Sequence, residues 1–273
     1  MADEAVWPTN PLRLIRRDDH LLAVHKPAGL LVHRSPIDRH ETEFALQHAR
    51  ALNGGEHVYP VHRLDRPTSG LLLFARDPDT ASRVGEAFMA GEVGKTYLAV
   101  VRGWTPDSGV IDQPLRDKAI DRRDDRVQAL REARTRYRRL AVCEIPVAIE
   151  RYPASRYSLL ELQPESGRQH QLRRHMQHIS HPIIGDTNYG RTRHNHYFAG
   201  RFGGGRLMLA STRLQLRHPH TGLLLTLSAA PEQSFMQVLS LFPDMSEDAL
   251  AALAEQPSVT SALADCRSGR EGR

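Results

Sequence analysis

The stretch His62-Arg-Leu-Asp-Arg-Pro-Thr-Ser-Gly70 sets one carboxylate, Asp65, between two guanidinium groups, Arg63 and Arg66, just ahead of an apolar run. Neighbouring cations favour the ionised form of a carboxyl group, which is the form a nucleophile or general base needs. Thr68 and Ser69 supply hydroxyls that can brace the loop, and Gly70 permits a tight entry into the next element. A capping or salt-bridged aspartate in a surface turn would show the same pattern, and spacing alone does not separate the two.

A second cluster is Gly167-Arg-Gln-His-Gln-Leu-Arg-Arg-His175. As a helix opening after a glycine turn, it would gather free backbone N–H groups and several cations at one end. Gln169 or His170 stands three or four residues from Arg173 and Arg174, so these side chains can share a face. Such a face suits a phosphate, or the pairing of one arginine with a buried carboxylate; a solvated basic helix would read alike. His170, His175, His178 and His181 could bring two or three imidazoles together. No HExxH arrangement and no acid at a matching offset accompanies them, and the surrounding basic residues oppose a bound cation, so no metal is expected.

The elements that must position these residues are short. Apolar and alternating runs predict strands near 12–15, 21–24, 71–75, 96–101, 135–141, 157–162, 207–209, 214–216 and 223–227. Helices are expected over 41–52, over 80–90 with Asp79 as N-cap, over 168–178, and over 231–241 with Pro231 in its first turn. Strands outnumber helices and do not alternate with them regularly. This pattern predicts an α+β fold with a mixed, mostly antiparallel central sheet flanked by helices and loops. Residues 1–11 read as an irregular leader, 12–244 as one catalytic domain without an internal linker, and 245–273 as a flexible tail. The mixed-charge stretch 116–134 reads as a solvated loop.

Composition narrows the class. At 273 residues, with 40% hydrophobic and 25% charged residues, the chain can bury a substantial core and has no fibrous or disordered bias. Its formal charge of +5 is carried mostly by arginine, which pairs bidentately with phosphate and stacks on bases. That charge fits a nucleic-acid partner, and the histidines of 170–181 are expected to contact it or to pack. Cys143 and Cys266 are too far apart for a short metal motif and too few for a disulfide framework. The start lacks the basic and apolar segments of a signal peptide, and no apolar run is long enough for a membrane helix. A cytoplasmic protein without a membrane partner is expected.

The block from His62 to Leu73 resembles the catalytic motif of the RluA-type pseudouridine synthases, H-R-L-D-x-x-T-S-G followed by apolar residues. Other blocks of that family follow in order: Val24-His-Lys-Pro-Ala-Gly-Leu-Leu-Val-His33, Lys95-Thr-Tyr97-Leu-Ala, Gly167-Arg-Gln-His-Gln-Leu-Arg173 and His181-Pro-Ile-Ile-Gly-Asp186. The resemblance spans about residues 12–230 and is highly specific. Within the family the nearest likeness is to the branch that modifies uridine 65 of tRNA. It rests on Leu31–Arg39, on Arg66-Pro67 inside the motif and on Arg151–Tyr157. One departure is Ala210, where family members commonly carry histidine in L-x-L-H-A.

The resemblance implies isomerisation of a specific uridine to pseudouridine, in tRNA or alternatively in ribosomal RNA, by a monomer without cofactor. A non-catalytic RNA-binding module is the other alternative. Asp65 would then be the carboxylate that breaks the C1′–N1 bond, Tyr97 would pack on the flipped base and help in proton transfer, and Arg173 would pair with Asp65. Arg63 would enter the RNA stack, and Arg66, Arg168, His170 and Arg174 would contact RNA.

Overall fold

In the computed structural model, residues 9–34, 40–116, 129–243, 245 and 258–259 are described. Most of the expected 1–11 leader, of the 245–273 tail and of the 116–134 loop lies outside them. The element order is β1 (Arg13–Arg17), β2 (Leu21–Lys26), α1 (Ala45–Leu52), β3 (Tyr59–Pro60), β4 (Ser69–Ala75), α2 (Pro78–Ala90), β5 (Gly94–Arg102) and β6 (Ser108–Asp112). There follow β7 (Leu115–Arg116), β8 (Leu130–Arg131), β9 (Arg134–Ile145), β10 (Ser155–Pro164), α3 (Gln171–His178) and α4 (Thr192–Phe202). The last are β11 (Leu209–Arg217), β12 (Leu224–Ser228), α5 (Gln233–Leu239) and β13 (Ser258–Val259).

One sheet carries most of these strands, in the order β1-β2-β4-β11-β5-β10-β9-β6, with β12 and β13 continuing from β11 and β3 lying on β4. Among the described residues, β4 and β11 are the one pair of strands that runs parallel. The α+β, mostly antiparallel architecture expected from the sequence is therefore the one observed. The unbroken apolar runs of β2 and β4 are buried at every position, as central strands covered on both faces should be. Near the other edge, the first half of β9 alternates exposed and buried residues, and Arg134, Arg136 and Arg138 lie on its exposed face. One apolar cluster packs α3, α4 and α5 against β5, β10 and β11, and a second packs α1 against β2 and β4. Tyr97 touches both.

The sheet centre shapes the site. Ala210 pairs with Ser69 and Ser211 with Gly70 across β4 and β11, while Ser211 also pairs with Tyr97 of β5. Gly70 has φ +108, and a Cβ there would lie 2.0 Å from the Ser211 carbonyl oxygen. Only glycine lets the loop that ends at Gly70 enter the sheet this close to β11. Ala210 is fully buried at this junction, where a histidine ring would need added room.

Several local expectations change. The N-cap of α2 is Asp77, whose carboxylate accepts from the Thr80 N–H at 2.8 Å, and Asp79 lies inside the first turn. Helix α3 opens at Gln171 rather than near residue 168, because His170 adopts a left-handed backbone (φ 55) that cannot continue a helix. Helix α5 begins after Glu232, so Pro231 precedes it, and the two short runs near 207–216 form the single strand β11. The residue pattern does not predict helix α4, since its polar, histidine-rich sequence buries only His194 and Phe198.

Candidate active site

The loop between β3 and β4 is built before any ligand arrives. The Lys26 ammonium is fully buried and donates to the carbonyls of Pro27 (2.8 Å), Leu30 (2.8 Å) and Arg66 (3.1 Å). The Gly29 N–H also donates to the Arg66 carbonyl at 2.9 Å, and the Arg66 side chain returns a bond to the Gly29 carbonyl. Lysine, proline and glycine of the first motif thus hold the turn that carries Asp65. Burial pushes the Lys26 ammonium down to about 7, with Glu232 and Asp65 acting against that fall. His62 fixes the start of the loop. Its Nε2 accepts from the Leu73 N–H at 3.0 Å, its ring stacks on Phe88, and burial pushes it down to about 3, so it stays neutral.

Asp65 opens into a cleft of about 1070 Å³ between this loop, the end of α2, β5 and the segment leading into α3. Its Oδ2 accepts from Nη1 of Arg173 at 3.3 Å, and the Nε2 of His170 lies 3.9 Å from its Oδ1. The tighter partner of Arg173 is Asp186, a residue to which sequence pattern assigns no role. Nε and Nη2 of Arg173 donate to the two Asp186 oxygens at 2.7 and 2.8 Å. Asp186 also accepts from the N–H groups of Asn188 and Tyr189. Burial alone would raise the Asp186 carboxyl, but the Arg173 guanidinium outweighs it and holds the group below the usual carboxylate range. The fork is therefore anchored on one buried acid and turns a single N–H toward Asp65. The clue in the sequence is the terminal aspartate of His181-Pro-Ile-Ile-Gly-Asp186.

Tyr97 lines the same cleft. Burial, and then the negative charge of Asp65, push its phenol up to about 12. At neutral pH it can donate a proton or a hydrogen bond but cannot serve as a base. A carboxylate, a protonated phenol and a partly neutralised guanidinium in one cleft can attack or deprotonate a bound group and return a proton to it.

The expected RNA contacts divide. Arg63, Arg168 and His170 line the cleft, and Arg168 donates to the Glu132 carbonyl at 3.1 Å. Arg66 is not in the cleft wall: it pairs with Glu41 at 2.5 Å and braces the loop. Arg174 also points elsewhere, donating to the Arg116 carbonyl at 2.9 Å. The four histidines of 170–181 do not converge. His175 bonds Thr135 and the Gln113 carbonyl, and His181 bonds the Arg102 carbonyl. His170 meets the Tyr189 hydroxyl at 3.1 Å.

Comparison with known proteins agrees with this architecture. The family described as RNA pseudouridylate synthase matches residues 20–178. A protein of Pectobacterium carotovorum subsp. carotovorum named tRNA pseudouridine synthase C is 50% identical over 234 residues, covering 85% of this chain. The chain spans 62% of that relative's length. A protein of the same name from Vibrio cholerae is 46% identical over 85% of this chain and 96% of its own length. Among solved structures, human RNA pseudouridylate synthase domain containing 4 superposes with a TM-score of 0.62 at 26% identity, covering 84% of this chain and 92% of that one. Human RNA pseudouridylate synthase domain containing 1 shares the fold, with a TM-score of 0.66 at 21% identity over 93% and 99% of the two chains. With the family match covering more than half of the chain and relatives of 46–50% identity covering 85% of it, this chain belongs to the RNA pseudouridylate synthase family, in its RluA-type branch.

Proposed function

We propose that this pseudouridine synthase acts on tRNA, at uridine 65 of the acceptor stem, with Asp65 as its catalytic carboxylate and without a cofactor. The observation that carries the reading is the pairing of a cleft-facing Asp65 with an arginine that Asp186 already holds in place. The tRNA substrate is supported by the names of the relatives in Pectobacterium and Vibrio.

The reaction is an isomerisation, so no atom is gained or lost overall. Asp65, as nucleophile or base, promotes cleavage of the C1′–N1 bond. The freed uracil turns within the cleft, and C5 bonds to C1′. The C5 proton then leaves, and N1 ends protonated. Tyr97, which keeps its proton, packs on the base and takes part in that transfer. The uridine must leave its helix first, at a cost of a few kcal/mol. Arg63 fills the space it vacates, while Arg168 and His170 hold backbone and base near the cleft mouth. Phosphate contacts of this kind make binding strongly dependent on salt.

The test is pseudouridine mapping on unmodified tRNA and ribosomal RNA, incubated with the wild-type protein and with Asp65→Asn. A signal at tRNA uridine 65 that the variant lacks is the expected result. A signal confined to ribosomal RNA would refute the substrate, and an active Asp65→Asn protein would remove Asp65 from the chemistry.

A further inference from the structure

A second cluster of chemically capable side chains lies outside the cleft, where three separate segments meet. His20 stands in the turn between β1 and β2, Asp77 caps α2, and His218 and His220 belong to the hairpin between β11 and β12. Ligand atoms of His20, Asp77 and His220 all fall within 4.8 Å of one another, the one such group of three among the described residues. The Nδ1 of His20 is 3.5 Å from Oδ2 of Asp77, and the His20 and His220 rings stack with centroids 3.5 Å apart. The Nε2 of His220 meets the Thr80 hydroxyl at 2.7 Å, and that hydroxyl donates to Asp77 Oδ2 at the same distance. A further imidazole and carboxylate stand alongside: His218 Nε2 lies 3.6 Å from Asp18 Oδ2. The nearby cations are already engaged, Arg16 with Asp18 and Arg83 with Asp79 and the Pro219 carbonyl.

We propose that His20, Asp77 and His220 form a structural site for a divalent ion of the zinc class, which staples the β1–β2 turn and the β11–β12 hairpin to the start of α2. The donor set decides the ion. Two imidazoles and one carboxylate are borderline donors that suit Zn²⁺ or Co²⁺, whereas Ca²⁺ and Mg²⁺ take oxygen ligands and are poorly served by imidazole, and no thiolate is present for Cu⁺. Hydrogen bonds from the Thr80 N–H at 2.8 Å and from its hydroxyl at 2.7 Å hold the Asp77 carboxylate in place at the start of α2. Tetrahedral ligands at zinc bond lengths lie roughly 3.3 Å apart, so the site closes when the three ligand atoms draw in from within 4.8 Å and the His220 ring turns out of its stack on His20, with water as fourth ligand. His220 is exposed on its hairpin, and its ring can leave the stack to aim a nitrogen lone pair at the ion. The site is remote in sequence from the 170–181 histidines, on which the expectation of no metal rests, and needs no part in the isomerisation.

The test uses the full chain stripped with EDTA and titrated with ZnCl2 against a chromophoric chelator. Co²⁺ absorbance then reports the coordination number, and thermal melts follow both titrations. The expected result is one ion per chain with submicromolar affinity, an intense tetrahedral Co²⁺ band, and a melting temperature raised by about 5 °C. His20→Ala and His220→Ala should each weaken binding at least tenfold and abolish the melting shift. His57→Ala, at an exposed histidine elsewhere, should leave both unchanged. Because His220 is exposed, its variant keeps the test decisive should His20→Ala fail to fold. Affinity weaker than about 100 μM, or binding that both cluster variants retain, would overturn the proposal.

Discussion

Replacing Asp186 by asparagine should damage this protein more than the same change at Asp65. Arg173 is 3% exposed, and its two short bonds, at 2.7 and 2.8 Å, both go to Asp186. Asparagine keeps the shape and one acceptor oxygen, which can still serve the N–H groups of Asn188 and Tyr189. Its amide, however, turns a donor toward a guanidinium donor and leaves a buried cation without its main anion. Breaking a buried pair in this way costs about 3 to 5 kcal/mol; with one bond retained, we take about 3 kcal/mol. For a chain of this size that lowers the melting temperature by roughly 6–12 °C. Asp65 makes one longer contact at 3.3 Å and its side chain is 17% exposed. Asp65→Asn should therefore cost less than about 1 kcal/mol. Both variants should lose turnover, read as release of tritium from [5-³H]uridine in tRNA. Asp65→Asn loses it by removing the carboxylate, and Asp186→Asn by freeing Arg173 to shift, worth roughly 100-fold. Thermal melts and single-turnover rates at 25 °C separate the two effects. An Asp186→Asn protein that melts within 2 °C of wild type, or an Asp65→Asn protein equally destabilised, would refute the assignment of Asp186 as anchor and Asp65 as the group left free to react.

Further expectations concern the loop and its neighbours. Gly70→Ala should prevent a soluble fold or cost several kcal/mol, because its Cβ would collide with the Ser211 carbonyl at 2.0 Å; a variant with wild-type urea unfolding would contradict the close approach of β4 and β11. Tyr97→Phe should keep its melting temperature within a few degrees yet lose roughly 100-fold in kcat, and a loss under threefold would confine Tyr97 to packing. Acid should weaken the fold through His62 and His25, which burial pushes down to about 3 and about 4. Both are neutral in the folded state while the unfolded chain protonates them near 6.5, so their contribution is complete above 6.5 and is lost as pH falls toward 4. The slope is at most about 1.4 kcal/mol per pH unit for each group. Urea titrations at pH 7, 6 and 5 should show that fall and a shallower one in His62→Gln; an identical slope in the variant would exclude His62.

Local chemistry makes the central motif readable. His62 to Gly70 is a run in which turn residues, a carboxylate and an apolar strand follow one another within a few positions. The strands β2, β4, β5 and β10 are legible too, because each carries an apolar or mixed run whose middle is buried in the sheet. Net charge and arginine content are compatible with a nucleic-acid partner, and it is the motifs that single one out. Those features depend on neighbours in the chain and on bulk composition, so the order of residues carries them without help from folding.

Packing settles which charges answer one another. Arg173 pairs mainly with Asp186 and only then with Asp65, which lies 108 positions away in the chain. Arg66, adjacent to Asp65 in sequence, is turned away to Glu41, and Arg174 to the backbone of Arg116. Helix α4 is illegible in the sequence because one buried histidine and one buried phenylalanine leave no apolar stripe to detect. The His20, Asp77 and His220 group joins three segments that only the sheet order brings together. Pairing between distant charges depends on where strands cross and on what burial permits. A side chain's charge is written in its residue type, but its partner is set by the fold.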